Sequence, residues 1–136
     1  MRVMGLDIGD KRIGISISDP LKITAQGLQT LERTSLEKDI QYLLELMDEY
    51  EVEKLVVGLP KNMNGTLGPQ AQKVKEFIDH LVKARDINVI FLDERLSTVT
   101  AEKTLIAGDV SRKKRKKVVD KLAATVILQS YLDRII

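Results

Sequence analysis

Four acidic residues stand where an α/β chain could bring them together. Asp7 lies near the C-terminal end of the largely apolar segment 2–8, and Asp93 and Glu94 end a second apolar segment, 88–92. Asp120 comes early in the last helical segment, and its neighbours at +3, +4, +7 and +11 are Ala123, Ala124, Ile127 and Tyr131. Those spacings put all five on one helix face. An acid on such an apolar stripe is costly unless it is paired or bound to a metal. The chain has no cysteine and one histidine, His80, so a cluster of these acids offers oxygen alone. That donor set suits the hard cations Mg²⁺ or Mn²⁺. Two such ions ~3.5–4 Å apart can activate a water and stabilise the leaving oxygen in phosphodiester cleavage. Blander roles exist for each acid. Asp7 could cap a turn with Lys11 or Arg12, Glu94 could pair with Arg95, and Asp120 could be a helix-start charge favoured by the macrodipole.

Cationic residues supply the second signal. Arg112, Lys113, Lys114, Arg115, Lys116 and Lys117 run without interruption. The chain carries 22 basic and 20 acidic residues, so its net charge of +2 hides a body that is net −4 without that hexamer. Six mutually repelling cations point to phosphate contact, against the alternative of a solvated loop. The Gly9-Asp10-Lys11-Arg12 turn with Gly14 could set backbone N–H groups and two cations against a phosphate. The loop from Gly58 to Gly65 holds Lys61 and Asn62, polar groups able to meet a ribose or phosphate. His80 reads as a surface residue. Tyr42, Tyr50, Phe77, Phe91 and Tyr131 mostly fall at core-like positions, which leaves no aromatic platform for stacking bases.

These residues need a scaffold that presents them at one edge. Residues 2–8 form a strand, a tight turn follows at Gly9–Lys11, and 12–18 alternate cleanly. Ile13, Ile15 and Ile17 share one face there, with the small Gly14, Ser16 and Ser18 on the other. Residues 24–31 complete an antiparallel meander. Ser35 caps an amphipathic helix over 35–50. A short apolar strand, 54–58, precedes a helix opened by Pro69. A last strand, 88–92, leads to a helix from Ser97 or Thr98 to about Ala107. The basic segment and a final helix over about 118–134 close the chain. Three antiparallel strands followed by βαβ crossovers make a mixed five-stranded sheet with helices on both faces. Ligand sites in such sheets gather beyond the carboxyl ends of the strands, where Asp7, Asp93 and Glu94 fall.

Composition narrows the function further. At 136 residues with 43% hydrophobic content, the chain fits one domain, 1–136, with a real core. The missing cysteines exclude a disulfide framework, a thiol nucleophile and a Cys-ligated zinc or iron–sulfur site. No apolar run approaches the ~18 residues of a membrane span and the N-terminus lacks a signal-peptide layout, so a cytoplasmic protein without membrane contact is expected.

The pattern Gly5-Leu6-Asp7-Ile8-Gly9-Asp10-Lys11-Arg12-Ile13-Gly14, followed by Ser18-Asp19, resembles the opening of the YqgF (RuvX) family. So do Val57-Gly58-Leu59-Pro60 with Met63, Gly65, Gly68 and Pro69, then Asp93-Glu94-Arg95-Leu96-Ser97-Thr98, then the block from Ser111 through Lys117 with Asp120 and Ala123-Ala124. Four ordered blocks span essentially the whole chain. Ser97 stands where threonine is frequent in the family. The resemblance implies a ribonuclease H-like α/β fold and a metal-dependent nuclease that matures the 5′ end of 16S ribosomal RNA. It also implies catalytic and metal-binding roles for Asp7, Glu94 and Asp120, with Asp93 as an accessory acid. Asp7 would bridge two Mg²⁺ or Mn²⁺ ions. Lys11, Arg12, Lys61, Asn62, Arg95 and the cations at 112–117 would hold nucleic acid. Precursor ribosomal RNA is the favoured partner and branched DNA the second, with ribosomal particles as a further candidate. The competing readings are a Holliday junction resolvase and a non-catalytic nucleic-acid adaptor of the same fold. A monomer and a homodimer both stay open.

Overall fold

The structure, a computed structural model, describes residues 1–60, 68–93 and 112–134, and over 112–121 it describes the backbone course alone. In chain order its elements are β1 (Arg2–Ile8), β2 (Arg12–Ser18), β3 (Ala25–Glu32), α1 (Leu36–Glu49), β4 (Val52–Leu59), α2 (Pro69–Ala84), β5 (Asn88–Asp93) and α3 (Arg112–Arg134). Among the described residues five strands make one sheet in the order β3-β2-β1-β4-β5. β1 pairs antiparallel with β2 and β2 with β3, while β1–β4 and β4–β5 are parallel. This is the mixed sheet expected from the meander and the crossovers.

Alternation along the strands sorts the side chains into two cores. Met4, Leu6 and Ile8 of β1, Ile13, Ile15 and Ile17 of β2, and Leu55, Val57 and Leu59 of β4 face one way. They pack with Leu43, Leu46 and Met47 of α1 and Val74, Phe77, Ile78 and Leu81 of α2. Helix α1 starts as read from the sequence, with the Ser35 hydroxyl accepting from the Lys38 N–H at 3.2 Å. Pro69 opens α2, where its missing N–H costs nothing.

The opposite face belongs to α3. Val3 and Val56 meet Ile127, Leu128, Tyr131 and Leu132 there. The small side of β2 is what admits the helix. Ser16 Oγ, fully buried, donates to the Ala124 carbonyl at 2.8 Å, and Ala123 and Ala124 have no exposed surface. A Cβ built on Gly5 would stand 2.8 Å from Leu128 Cβ and 2.4 Å from Ser16 Oγ, so no larger residue fits beneath the helix.

Two differences from the sequence reading matter. β4 runs from Val52, two residues earlier than expected, because Val52 finds Arg2 as its register partner. α3 begins at Arg112, so the basic run forms the opening turns of that helix instead of a segment ahead of it. Lysine and arginine are good helix formers, and that propensity outweighs the repulsion. The helix expected over 97–107 lies outside the described residues.

Candidate active site

β1 carries Asp7 to the edge of the sheet where the parallel strands end. Asp7 has the parity of Val3 and Gly5, so it stands on the α3 face, half-buried, with Gly14 as its cross-strand neighbour. Helix α3 runs antiparallel to β1 over this face: Gln129 Oε1 accepts from Ala25 N at the far end of the meander, and Ala124 lies against Gly5 and Ser16 in the middle. One turn earlier along α3, a rise of ~6 Å, comes Asp120. Two residues along β1 from Gly5, ~6.6 Å in the same direction, comes Asp7. The two backbone positions are therefore level at one end of the sheet. Asp120 is also the ninth residue of α3, too far in for the macrodipole to account for it.

The remaining acids are placed differently. Asp93 ends β5 opposite Leu59, and its parity is that of Val89, which packs on the α1/α2 side. It is exposed, two strand spacings or about 10 Å from β1, and on the other face from Asp7. The geometry thus separates the expected accessory acid from Asp7. Glu94 and Arg95 lie outside the described residues, as do Lys61 and Asn62 and the side chains of Asp120 and of Arg112, Lys113, Lys114, Arg115, Lys116 and Lys117. Among the described residues no three His, Cys, Asp or Glu side chains gather closely enough to hold an ion.

The turn that follows Asp7 is rigidly built. Gly9 N donates to the Arg12 carbonyl at 2.9 Å, and a Cβ on Gly9 would meet that oxygen at 2.8 Å, so the closure requires glycine. Lys11 is exposed at its tip and Arg12 is half-buried. Sequence reasoning misses the brace of this turn. Arg33, just past β3, donates from Nη1 to the Gly9 carbonyl at 2.9 Å and from its own backbone N–H to the Lys11 carbonyl at 2.9 Å. Its Nε donates to Asp39 Oδ2 at 3.1 Å, and its guanidinium lies 4.9 Å from the centre of the Phe77 ring. Asp39 also accepts from Thr34 N at 3.1 Å and is buried. A signal for it exists: Asp39, Leu43 and Leu46 share the inner stripe of α1, an acid among apolar residues like Asp120 in α3.

A sheet of this order, with its second strand antiparallel and an aspartate at the end of the central strand, is the ribonuclease H-like fold. Solved structures agree. RuvC of Thermus thermophilus bound to a Holliday junction superposes with a TM-score of 0.62 at 14% identity, over 99% of this chain and 96% of that one. The resolvase of Fowlpox virus bound to junction DNA gives 0.62 at 14% identity, over 100% and 99%. The chain belongs to the RuvX family, described as Holliday junction resolvase, whose model matches residues 1–134. A Clostridium tetani relative named "Putative pre-16S rRNA nuclease" is 57% identical over 135 residues, 99% of this chain and 98% of its own. One from Desulforamulus reducens with the same name is 58% identical over 133 residues, 98% and 97%.

Proposed function

We propose that this chain is a divalent-cation-dependent endonuclease that cuts precursor 16S ribosomal RNA during maturation of its 5′ end, in the cytoplasm. The observation that carries the reading is the level placement of Asp7 on β1 and Asp120 on α3 at one end of the same sheet face. The names of the relatives that match this chain end to end support the RNA substrate.

The donor set fits a hard cation, because Asp7, Glu94 and Asp120 offer carboxylate oxygen in a chain without cysteine. Mg²⁺ or Mn²⁺ bound there would supply charge stabilisation to a phosphodiester under attack by water. The chain's own residues do the rest. Lys11 and Arg12, held by the braced turn, grip the backbone beside the cleaved bond and offset charge as it develops. The cations at 112–117 meet further phosphates. In the opening turns of α3 they oppose the helix dipole, an unfavourable placement that bound phosphate relieves. Ribosomal particles are the setting in which such a precursor is met.

The test is cleavage of a labelled precursor fragment with Mg²⁺ or Mn²⁺, beside a four-way DNA junction, for wild type and Asp7→Asn. The expected outcome is RNA cutting that falls by roughly 10²–10³-fold or more in the variant, the scale of losing one transition-state electrostatic group, while binding persists. Cutting of the junction alone would replace this reading with resolution of branched DNA. Binding of RNA without cutting would replace it with the adaptor.

A further inference from the structure

The turn after Asp7 has a second side. Where it faces α1 and α2, a pocket of about 250 Å³ opens beside Gly9 and Asp10. This is smaller than the ~300–1,000 Å³ that whole small-molecule ligands occupy, and fits a fragment. Ile8, Phe77 and Leu36 give it an apolar lining, and Gln70, Lys73 and His80 reach it from α2. Arg33 lines it as well. One side of its guanidinium lies over Phe77, hydrogen bonds to Asp39 and the Gly9 carbonyl fix its orientation, and 23% of the side chain stays exposed. The charges around the lining leave a slight negative excess. Arg33 is paired with Asp39, Lys73 lies 3.4 Å from Asp10, and Glu76 adds an anion. A free phosphate would find no excess of positive charge there.

We propose that this pocket receives one unpaired nucleobase of the substrate strand, a nucleotide or two from the bond cut at Asp7. A fixed guanidinium is a flat surface on which a splayed-out base stacks. The Gln70 amide presents both a donor and an acceptor to a base edge. Chain continuity sets the distance: Asp10 is three residues beyond Asp7, on the order of 10 Å at most at ~3.3 Å per residue. A strand crossing the sheet edge from Asp7 over the Gly9 turn arrives at the pocket mouth. The inference rests on the nuclease reading and adds to it that the substrate is unpaired beside the cut.

The experiment uses the full chain carrying Asp7→Asn, with binding followed by fluorescence anisotropy. Precursor RNA fragments each carry one abasic nucleotide, scanned along the fragment. One position is expected to weaken binding by about tenfold, the effect of losing one stacked base. Leu36→Trp, at an exposed residue of the lining, fills the pocket and should abolish that position-specific loss; Gln70→Ala should shrink it. A uniform response to the scan, or a loss that persists unchanged in both variants, overturns the subsite. Free nucleoside monophosphates that perturb the Gln70 amide signals in NMR without RNA would overturn it in favour of a soluble nucleotide. Wild-type cleavage of the precursor is measured in parallel. RNA cut without base dependence sinks the subsite alone, whereas RNA neither cut nor bound sinks the nuclease reading and the subsite with it.

Discussion

Arg33 reaches the Gly9 carbonyl because Asp39 neutralises it. Asp39 is nearly inaccessible and accepts from both Arg33 and Thr34, so its removal leaves a guanidinium in an apolar setting without its counter-charge. Breaking a buried pair in this way costs about 3–5 kcal/mol, and the partial exposure of Arg33 lowers the expectation to about 2–4 kcal/mol. Urea unfolding of Asp39→Ala should show that loss, and Asp39→Asn, which keeps the acceptor for Thr34, a smaller one. An unchanged midpoint in both would mean the pair contributes nothing. Asp7 is legible by its place at the end of an apolar strand. Asp93 is equally acidic and equally placed in sequence, and only register tells that it lies on the other face. Parity at the final residue of a strand depends on which neighbour it pairs with, and a single sequence does not contain the pairing.

The elements meet most tightly where α3 crosses β1 and β2. Gly5→Ala must push the helix outward, since the added carbon falls 2.8 Å from Leu128 Cβ and 3.0 Å from the Ala124 carbonyl. Overpacking of this kind costs about 1–3 kcal/mol. Because the displaced helix also carries Asp120, cleavage should fall further than stability alone accounts for, in activity measured well below the melting temperature. At the other end of the sheet Arg85 just past α2 clamps Asp48 of α1, with Nη1 to Oδ1 at 2.6 Å and Nη2 to Oδ2 at 3.1 Å. The Arg85 hydrogen bond holds the Asp48 carboxyl below its ordinary value. Asp19 is lowered too, first by the backbone N–H of Thr24. A depressed carboxyl stabilises the fold fully above its unfolded pKa and loses that contribution as pH falls through the folded value. Melting temperature should therefore hold from pH 7 down to about 4, the ordinary carboxylate range, and drop below it. Asp48→Asn should blunt the drop modestly, since the group is exposed.

The same elements show how far patterning reaches. The alternation of β2, the Ser35 cap and the Pro69 start are local signals, and they locate β2, α1 and α2 closely. Patterning starts α3 about six residues late, because six cations in a row look like a segment that repels itself out of regular structure. Helix propensity is carried by the methylene stems, which charge counting ignores.

Across the whole molecule, charge is divided between a body of net −4 and one helix start bearing six cations. Nucleic-acid binding should then depend on salt mainly through residues 112–117. Replacing all six by glutamine should reduce the slope of log K against log[salt] by up to ~0.7 for each single-strand phosphate that the segment neutralises. An unchanged slope would remove the segment from the interface. Among the described residues no helix is long and apolar enough to cross a membrane.

The burial of Ser16 and Gly5 under α3 also has a consequence in time. The face that carries Asp7 is made before its cover, because α3 follows all five strands in chain order. At ~5–20 residues per second, synthesis from Asp7 to Asp120 takes on the order of ten seconds. Until then the nascent chain holds one carboxylate of the pair without the other. Any activity that needs both carboxylates would be absent until α3 has been made and has docked on the sheet.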